Sequence, residues 1–203
     1  MTVNIPSKHL ELAVNQLSGL PGIGKRTALR LALFLYAKSP VEIDEFSEAI
    51  RALKAHTMRC KECFSICDSY TCDICQNSNR KEDVLCVVEE IQDVIAIEST
   101  MIFKGKYHVL GGLISPIDGI SPHDLTISLL LDRIIKGNIK EIILALSPTM
   151  EGDTTAFYLY KKLKEKNILI TVLSRGVSIG AELQYTDEMS LSKSFEQRLP
   201  YSI

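Results

Sequence analysis

Four of the six cysteines form two closely spaced pairs. Each pair is a Cys-x-x-Cys motif, and eight residues separate Cys60 and Cys63 from Cys72 and Cys75. Each motif places two thiolates on a tight turn, and four thiolates in tetrahedral geometry make a closed structural zinc site. The segment between the pairs is too polar to form a core of its own, so a metal would supply most of its folding free energy. We therefore predict one structural Zn²⁺ per chain, held by these four cysteines.

The other two cysteines fit this prediction less directly. Two disulfides, or four unrelated buried cysteines, are alternatives to zinc, but disulfides need an oxidising compartment. The first ten residues contain no apolar segment typical of a secretory signal, so we expect a cytoplasmic protein. Cys67 has no Cys-x-x-Cys partner and is interpreted as a spare thiol that could replace one ligand. Cys86 lies in an apolar run and is predicted to be a small buried strand residue.

A second candidate site is the turn Leu20-Pro21-Gly22-Ile23-Gly24, which lies between two helical patterns. Two glycines one residue apart let the turn close tightly and present backbone N–H groups at the start of the second helix. Those groups, together with the positive end of the helix dipole, suit a phosphate. Three cations lie on or just after the turn, which favours a helix-hairpin-helix that binds the DNA backbone: Lys25, Arg26 and Arg30. The alternative is an ordinary helical hairpin with a solvated basic end.

A third candidate site consists of carboxylates. From residue 84 onward, apolar runs at 84–88, 107–110, 141–146 and 168–173 alternate with helical patterns, which predicts a mostly parallel sheet with helices on its faces. Glu89, Glu151 and Asp153 follow two of these strands, at the edge where such sheets bind ligands. Their spacing resembles the Toprim domain, in which carboxylates hold Mg²⁺ for phosphoryl transfer. The alternative is that these acids are solvated or contact a partner. No convincing nucleophile accompanies them.

Composition limits the possible functions. The chain has 203 residues, 46% of them hydrophobic, and a formal net charge of −2. No apolar run approaches the roughly 20 residues of a membrane span, so we expect no membrane association. The small net charge gives no global basic field, so any DNA binding must come from a local patch.

Two further helices have distinct boundary signals. Ser39-Pro40 predicts the start of a helix, Glu42 completes a capping box, and its apolar stripe is predicted to be buried: Ile43, Phe46, Ile50 and Leu53. A later helix is predicted to begin at Ser121–Asp124 and to end at Lys136, with Gly137 as its C-terminal glycine.

The order of these parts resembles the bacterial RecR family of recombination proteins over essentially the full length. The resemblance rests on Leu20–Gly24, the four cysteines, and three further stretches: Tyr107–Gly112, Leu113–Ile120 and Pro148–Asp153. It implies a multidomain α + α/β chain with a helix-hairpin-helix domain (1–56), a four-cysteine zinc finger (57–80), a Toprim-like domain (81–175) and a C-terminal segment with a helix (176–203), the last used in oligomerisation.

The resemblance further implies a non-catalytic mediator that acts at gaps and stalled forks. Such proteins work with RecO and RecF to load RecA recombinase onto single-stranded DNA coated by single-strand-binding protein, and they assemble as dimers and ring-like tetramers. Arg26 and Arg30 align with the family's DNA contacts, and Lys25 replaces a common proline. Glu89 and Glu151 align with positions that contact RecO. Mg²⁺ in the acidic cleft is possible but is not expected to be catalytic.

Two other functions remain open at this stage. In a Mg²⁺-dependent Toprim nuclease or primase-like enzyme, Glu89, Glu151 and Asp153 would be metal ligands. A zinc-stabilised module that binds only protein would show no salt-sensitive DNA binding.

Overall fold

Two compact units make up the fold. In a computed structural model that describes residues 5–200, the chain divides into Met1–Thr57 and Met58–Ile203. The first unit is helical, and the second contains both sheets of the described chain. No helix in residues 5–200 is both long and apolar enough to cross a membrane.

The first unit contains three helices, α1 (Lys8–Ser18), α2 (Lys25–Tyr36) and α3 (Pro40–Ala55). Its core lies between α1 and α2, where Val14 packs with Ala28 and Ala32. The two alanines have short side chains, so the helix backbones can approach closely. This packing fixes the α1–α2 turn, which contains the paired glycines.

Helix α3 begins as predicted but buries less than predicted. The backbone N–H of Glu42 donates to Ser39 Oγ (3.4 Å), and the N–H of Ser39 donates to Glu42 Oε2 (2.9 Å), so the capping box is confirmed. The predicted buried stripe is wrong for this single chain, because Phe46, Ile50 and Leu53 are 49, 58 and 62% exposed. The core of this unit forms between α1 and α2, which leaves the apolar face of α3 uncovered.

The second unit contains a four-stranded sheet in the order β4-β3-β5-β6, with all neighbours parallel. A two-stranded antiparallel sheet, β1-β2, precedes it. The elements in chain order are β1 (Met58–Arg59), β2 (Ile66–Cys67), α4 (Asp73–Gln76), β3 (Val84–Val88), α5 (Ile91–Ser99), β4 (Lys106–Val109), α6 (Ile127–Lys136), β5 (Glu141–Ala145), α7 (Met150–Leu163), β6 (Leu169–Val172), a 3₁₀ turn (Leu183–Tyr185) and α8 (Glu188–Glu196).

Both faces of the large sheet are covered, which explains why its central strand is a continuous apolar run. Leu85 and Val87 of β3 join a core with residues of α6 and α7. Cys86 and Val88 point to the other face and join a core that includes Val94 of α5. The prediction that Cys86 is a buried strand residue is confirmed.

The start of α6 differs from the prediction. The carboxylate of Asp124 accepts hydrogen bonds from the backbone N–H (2.8 Å) and hydroxyl (2.7 Å) of Ser121, which closes a separate turn before the helix. Helix α6 begins at Ile127, and Thr126 Oγ1 donates to the Val109 carbonyl at 2.8 Å. Gly137 flanks the C-terminus as predicted, but its φ of −96° is not left-handed.

Candidate metal centre and nucleic-acid interface

The structure brings the four predicted zinc ligands together. One Sγ atom from each of Cys60, Cys63, Cys72 and Cys75 lies within 4.8 Å of the other three, and in residues 5–200 this is the one such group of His, Cys, Asp or Glu. The first three cysteines are buried, and Cys75 is half-buried. A compact, closed set of four thiols matches a structural zinc site, which leaves no position open for a substrate.

Local backbone turns build the centre. The N–H of Cys60 donates to the Ser65 carbonyl (2.8 Å) and the N–H of Phe64 donates to the Cys60 carbonyl (2.9 Å), so the first Cys-x-x-Cys pair curls into a knuckle. Phe64 completes the turn with a left-handed φ of 63°, which is uncommon for an aromatic residue. The N–H of Cys72 donates to Cys60 Sγ at 3.3 Å, which links the two pairs.

The pKa values of the thiols fit a cluster that binds a cation. Burial raises the pKa of Cys60, but backbone N–H donors, above all that of Cys72, outweigh it and lower that pKa to about 6. Neighbouring Cys75 and burial raise the pKa of Cys63, and burial raises that of Cys72 to about 12. One thiol therefore ionises readily while two others resist, because burial and neighbouring thiols disfavour their charged forms. A divalent cation at the centre would favour the thiolate form of all four.

Cys67 lies beside the centre without joining it. It packs against the buried cysteines, but its Sγ donates to the Ser69 carbonyl (2.8 Å), and it is not one of the four residues whose ligand atoms converge. Its interpretation as a spare thiol is consistent with this placement.

Side chains of α6 and β4 hold the cysteine finger in place. Arg133 of α6 donates from Nη1 to the carbonyls of Glu62 (3.0 Å) and Tyr107 (2.6 Å). The buried Lys106 of β4 donates to the Cys75 carbonyl at 2.6 Å. The ring of Phe64 meets His108 edge to face, with centroids 5.3 Å apart. The finger is thus packed on the edge strand β4 rather than suspended on a linker.

Sequence reasoning missed these supporting residues and the short elements around them. β1, β2 and α4 have two, two and four residues, too few for a periodic pattern. Arg133 lies in the last turn of α6, where basic residues are common, and no nearby motif marks it as a contact of the finger. Its role depends on a finger that is 71 residues away in the chain.

The α1–α2 turn has the geometry of an anion site. Gly22 has a left-handed φ of +76°, where a side chain would be strained. The N–H of Ile23 donates to the Leu20 carbonyl (3.1 Å), and Gly24 is the N-cap of α2. No side chain caps this end, and its first turn holds no acid. The first N–H groups of α2 therefore have no protein acceptor on the helix and can bind an anionic oxygen.

The three predicted cations surround this turn. Lys25 and Arg26 are in the first turn of α2, and all three cations are exposed. Arg30 follows Arg26 by four residues, so the two arginines project from the same face of the helix. None of the three takes part in an ion pair within residues 5–200. Their charges are therefore available to an external partner.

Two of the three carboxylates at the sheet edge have side-chain partners within the protein. Ser147 Oγ donates to Glu89 Oε2 at 2.9 Å. Arg175 pairs with Asp153 (Nη2 to Oδ1, 2.6 Å), and this hydrogen bond with the guanidinium holds the pKa of that carboxyl below its usual range. The three acids do not form a cluster of ligand atoms like that of the four thiols. The sequence placed the acids at this edge but gave no sign that Arg175 would pair with one of them.

Gly152 lies between the two acids of α7, and its role is steric. A Cβ atom built on it would lie 1.9 Å from the Ser147 carbonyl oxygen. The start of α7 can therefore approach the end of β5 only because this residue lacks a side chain. This close approach also fixes Ser147, which contacts Glu89.

Comparisons with known proteins agree with this geometry. Residues 10–54 match the family model "RecR, helix-hairpin-helix", residues 83–174 match "Toprim domain" and residues 176–198 match "RecR, C-terminal". The chain is 49% identical over 203 residues to "Recombination protein RecR" of Parabacteroides distasonis, which covers 100% of this chain and 98% of that protein. Proteins of the same name from Amoebophilus asiaticus (50% over 195 residues; 96% of this chain and 98% of that protein) and Bacteroides fragilis (49% over 202 residues; 100% and 98%) are equally similar.

Identity near 50% over the full chain, together with two RecR-specific segments on either side of a Toprim domain, leaves one assignment. This chain belongs to the RecR family of recombination proteins.

Proposed function

We propose that this protein is a non-catalytic, DNA-binding mediator of recombinational DNA repair. The observation that carries the proposal is the start of α2, where a helix N-terminus without a side-chain cap lies beside three exposed cations that form no ion pair within residues 5–200. Helix N–H groups and cations recognise phosphates rather than base edges, so this surface would bind DNA without reading its sequence. Such a protein can act at any gap or stalled fork, and it would work at the nucleoid.

The proposal assigns protein partners as well as DNA. We infer that the protein acts with RecO and RecF to help load RecA recombinase onto single-stranded DNA coated by single-strand-binding protein. Glu89 and Glu151 support a partner surface, because neither has an ion-pair partner within residues 5–200. Their negative charge remains available to cations of another protein.

The metal centre has a structural role in this proposal. Cys60, Cys63, Cys72 and Cys75 would hold one Zn²⁺, which supplies the positive charge that four neighbouring thiolates require. The finger then holds its shape on β4 through Arg133 and Lys106. We assign no reaction to Mg²⁺ at the acidic edge, because Asp153 already has a cationic partner in Arg175.

We also infer that the protein works as an oligomer, a dimer or a ring-shaped tetramer. The apolar face of α3 supports this, since Val41, Phe46, Ile50 and Leu53 are all exposed in the single chain. The C-terminal segment adds further exposed apolar side chains: Ile179, Leu183, Tyr185, Met189, Phe195 and Leu199. Several hairpins around one duplex would raise avidity, which compensates for the small charge of a single subunit. Sedimentation of an Ile50→Glu variant should show smaller assemblies than the wild type.

Binding to gapped plasmid DNA in Mg²⁺, at rising salt, tests the central claim. We expect a mobility shift that weakens steeply with salt and leaves the DNA intact. In the double variant Arg26→Ala with Arg30→Ala, DNA affinity should fall at least tenfold. The slope of log affinity against log salt concentration should become shallower by about 1.8 per engaged hairpin, because two phosphate contacts that release counterions are lost. The matched control is Arg51→Ala with Lys54→Ala, which removes two cations from α3 in the same unit.

Each other outcome contradicts a specific part of the proposal. Equal loss in both variants would mean that net charge, not the hairpin, determines binding. Cut or extended DNA would instead favour a Mg²⁺-dependent Toprim nuclease or primase-like enzyme. Absence of any salt-sensitive shift would favour a zinc-stabilised module that binds only protein.

A loading assay tests the partner claim separately. RecA filament formation on single-stranded DNA coated with single-strand-binding protein should accelerate when this protein and RecO are both present. The double arginine variant should lose the acceleration if DNA contact is needed. No acceleration by the wild-type protein would contradict the mediator role even if DNA binding is confirmed.

A further inference from the structure

Ile117 is the most solvent-exposed apolar residue of the loop between β4 and α6, with 92% of its surface accessible. Single exposed apolar residues are common and by themselves mean little. The surroundings of Ile117 are unusual because the loop that presents it is closed on itself. The N–H of Ser115 donates to the Ile120 carbonyl (3.0 Å), and the N–H of Ile120 donates back to the Ser115 carbonyl (2.8 Å).

Two further features fix this 115–120 loop. Ser115 Oγ donates to Asp118 Oδ2 at 2.6 Å, and Gly119 takes a left-handed φ of +73° that completes the turn. Pro116, directly before Ile117, has a restricted φ. The conformational entropy of the loop has therefore already been lost in the free protein, which lowers the cost of binding through Ile117.

The base of the loop is joined to α7, beside the acidic edge. Ile114 and Ser115 are buried, and the N–H of Ile114 donates to Thr155 Oγ1 at 2.9 Å. Thr155 is itself fully buried, and its hydroxyl donates to the Glu151 carbonyl at 2.7 Å. A continuous chain of hydrogen bonds thus connects the rigid loop to the residue that the proposed function assigns to a partner.

Charge at this edge indicates the chemistry of that partner. Glu89, Asp118 and Glu151 have no ion-pair partner in residues 5–200, and Arg175 is already paired with Asp153. Met150, directly before Glu151, is 83% exposed. Each of these two exposed apolar residues is therefore followed directly in the chain by an acid, Ile117 by Asp118 and Met150 by Glu151, and this pairing complements an apolar pocket bordered by lysine or arginine.

We propose that Ile117 is the apolar anchor of a protein-docking surface on the 115–120 loop. The partner receives the Ile117 side chain in an apolar pocket bordered by cationic side chains. No segment of the partner enters the fold of this chain. This inference rests on the proposed function, in which RecO binds at the acidic edge, and it adds the residue that provides most of the affinity. The acids Asp118 and Glu151 contribute orientation and association rate rather than the main contact.

Affinity for purified RecO, measured by titration calorimetry, tests the inference. Ile117→Ala should weaken RecO binding at least tenfold without a change in the thermal midpoint, because the side chain is exposed. The matched control is Ile102→Ala. Ile102 is 81% exposed, but it precedes β4 and so lies toward the amino ends of the strands, away from the 115–120 loop that follows β4. Glu151→Gln should reduce the salt dependence of binding with a smaller loss of affinity.

The other outcomes separate this inference from the proposed function. If wild-type protein binds RecO and Ile117→Ala binds as tightly as Ile102→Ala, the docking role of the loop is wrong while the partnership stands. If wild-type protein does not bind RecO, both are wrong. If Ile117→Ala changes the sedimentation of the protein alone, the loop is a contact between copies of this chain, which also overturns the inference.

Discussion

The metal centre and the acidic edge are both built from groups that bind cations, and they differ in how their charge is balanced. At the metal centre, four thiol sulfur atoms lie within 4.8 Å of one another, and the nearby Lys106 ammonium donates to the carbonyl oxygens of Cys75 and Asn77. At the acidic edge, Asp153 is paired with Arg175 and Glu89 accepts a hydrogen bond from Ser147. The first arrangement could hold an external metal ion, whereas the second satisfies part of its charge with the chain's own side chains.

The difference follows from how each set is assembled. The thiols come from two short motifs whose turns close locally, so the centre needs few long-range contacts to form. The acids come from the ends of two strands, and their partners Ser147 and Arg175 come from other points of the fold. In this protein Asp153 has a cationic partner within the chain, whereas the four thiols lie together as a set that could hold a metal ion.

Loss of one thiol should have the largest effect. We expect Cys72→Ser to reduce the zinc content from one per chain to near zero, because it removes one of the four ligands. Structural zinc contributes about 10–16 kcal/mol of folding free energy in isolated fingers, so the finger should be lost with the metal. Elemental analysis measures the metal, and amide exchange over residues 58–76 measures the loss of the finger. Cys67→Ser is the control and should keep its zinc; if it loses zinc as Cys72→Ser does, the four-cysteine assignment is wrong.

At the acidic edge, a change in backbone packing should alter the free energy of unfolding more than the removal of a charge. Gly152→Ala places a Cβ against the Ser147 carbonyl, and the forced shift should cost about 3 kcal/mol in the free energy of unfolding. Urea denaturation measures the change. Gly24→Ala is the matched control, since a Cβ there meets nothing within 4 Å. Equal stability of the two variants would contradict the close approach of α7 to β5.

A pH titration should distinguish the two regions. Burial, with some repulsion from Arg133, lowers the pKa of His108 from 6.5 to about 3. Below pH 6.5 this histidine binds a proton in the unfolded chain but not in the folded chain. The free energy of unfolding therefore decreases as the pH falls, by about 2 kcal/mol at pH 5. Asp153 has a lowered pKa instead, so its contribution is present above pH 3.8 and is lost only below that value.

Denaturation at pH 5 and pH 7.5 checks the histidine. The difference in stability between the two pH values should shrink by about 2 kcal/mol in His108→Gln. It should be unchanged in His123→Gln, which alters an exposed histidine. If the difference in stability between pH 5 and pH 7.5 is the same in His108→Gln as in the wild type, His108 is not held neutral at the junction of finger and sheet.

Removal of charge at the acidic edge should have the smallest effect. Because Asp153 is exposed and its partner Arg175 is only half-buried, Asp153→Asn should change stability by less than about 1 kcal/mol. It should leave DNA affinity within twofold, and wild-type protein should show no saturable Mg²⁺ binding below millimolar concentration. Calorimetry that detects tight Mg²⁺ binding in the wild type and none in Asp153→Asn would make the acidic edge a second metal site.

The amino-acid sequence by itself determined the parts of this protein whose signals are local. Paired Cys-x-x-Cys motifs predicted the thiol cluster, Leu-Pro-Gly-Ile-Gly predicted the hairpin turn, and apolar runs predicted the four parallel strands, because each depends on residues only a few positions apart. The capping box of α3 was predicted for the same reason.

Only the tertiary structure decided how these parts are held and which faces are covered. The stripe on α3 has a buried pattern but no partner in the single chain, since helical periodicity specifies a face and not what covers it. Arg133 contacts the finger 71 residues away in the chain, and Arg175 pairs with Asp153 22 residues away, across distances that no short motif encodes. Contacts between residues distant in sequence form only when the chain folds, so charge balance and steric fit at both sites were decided there.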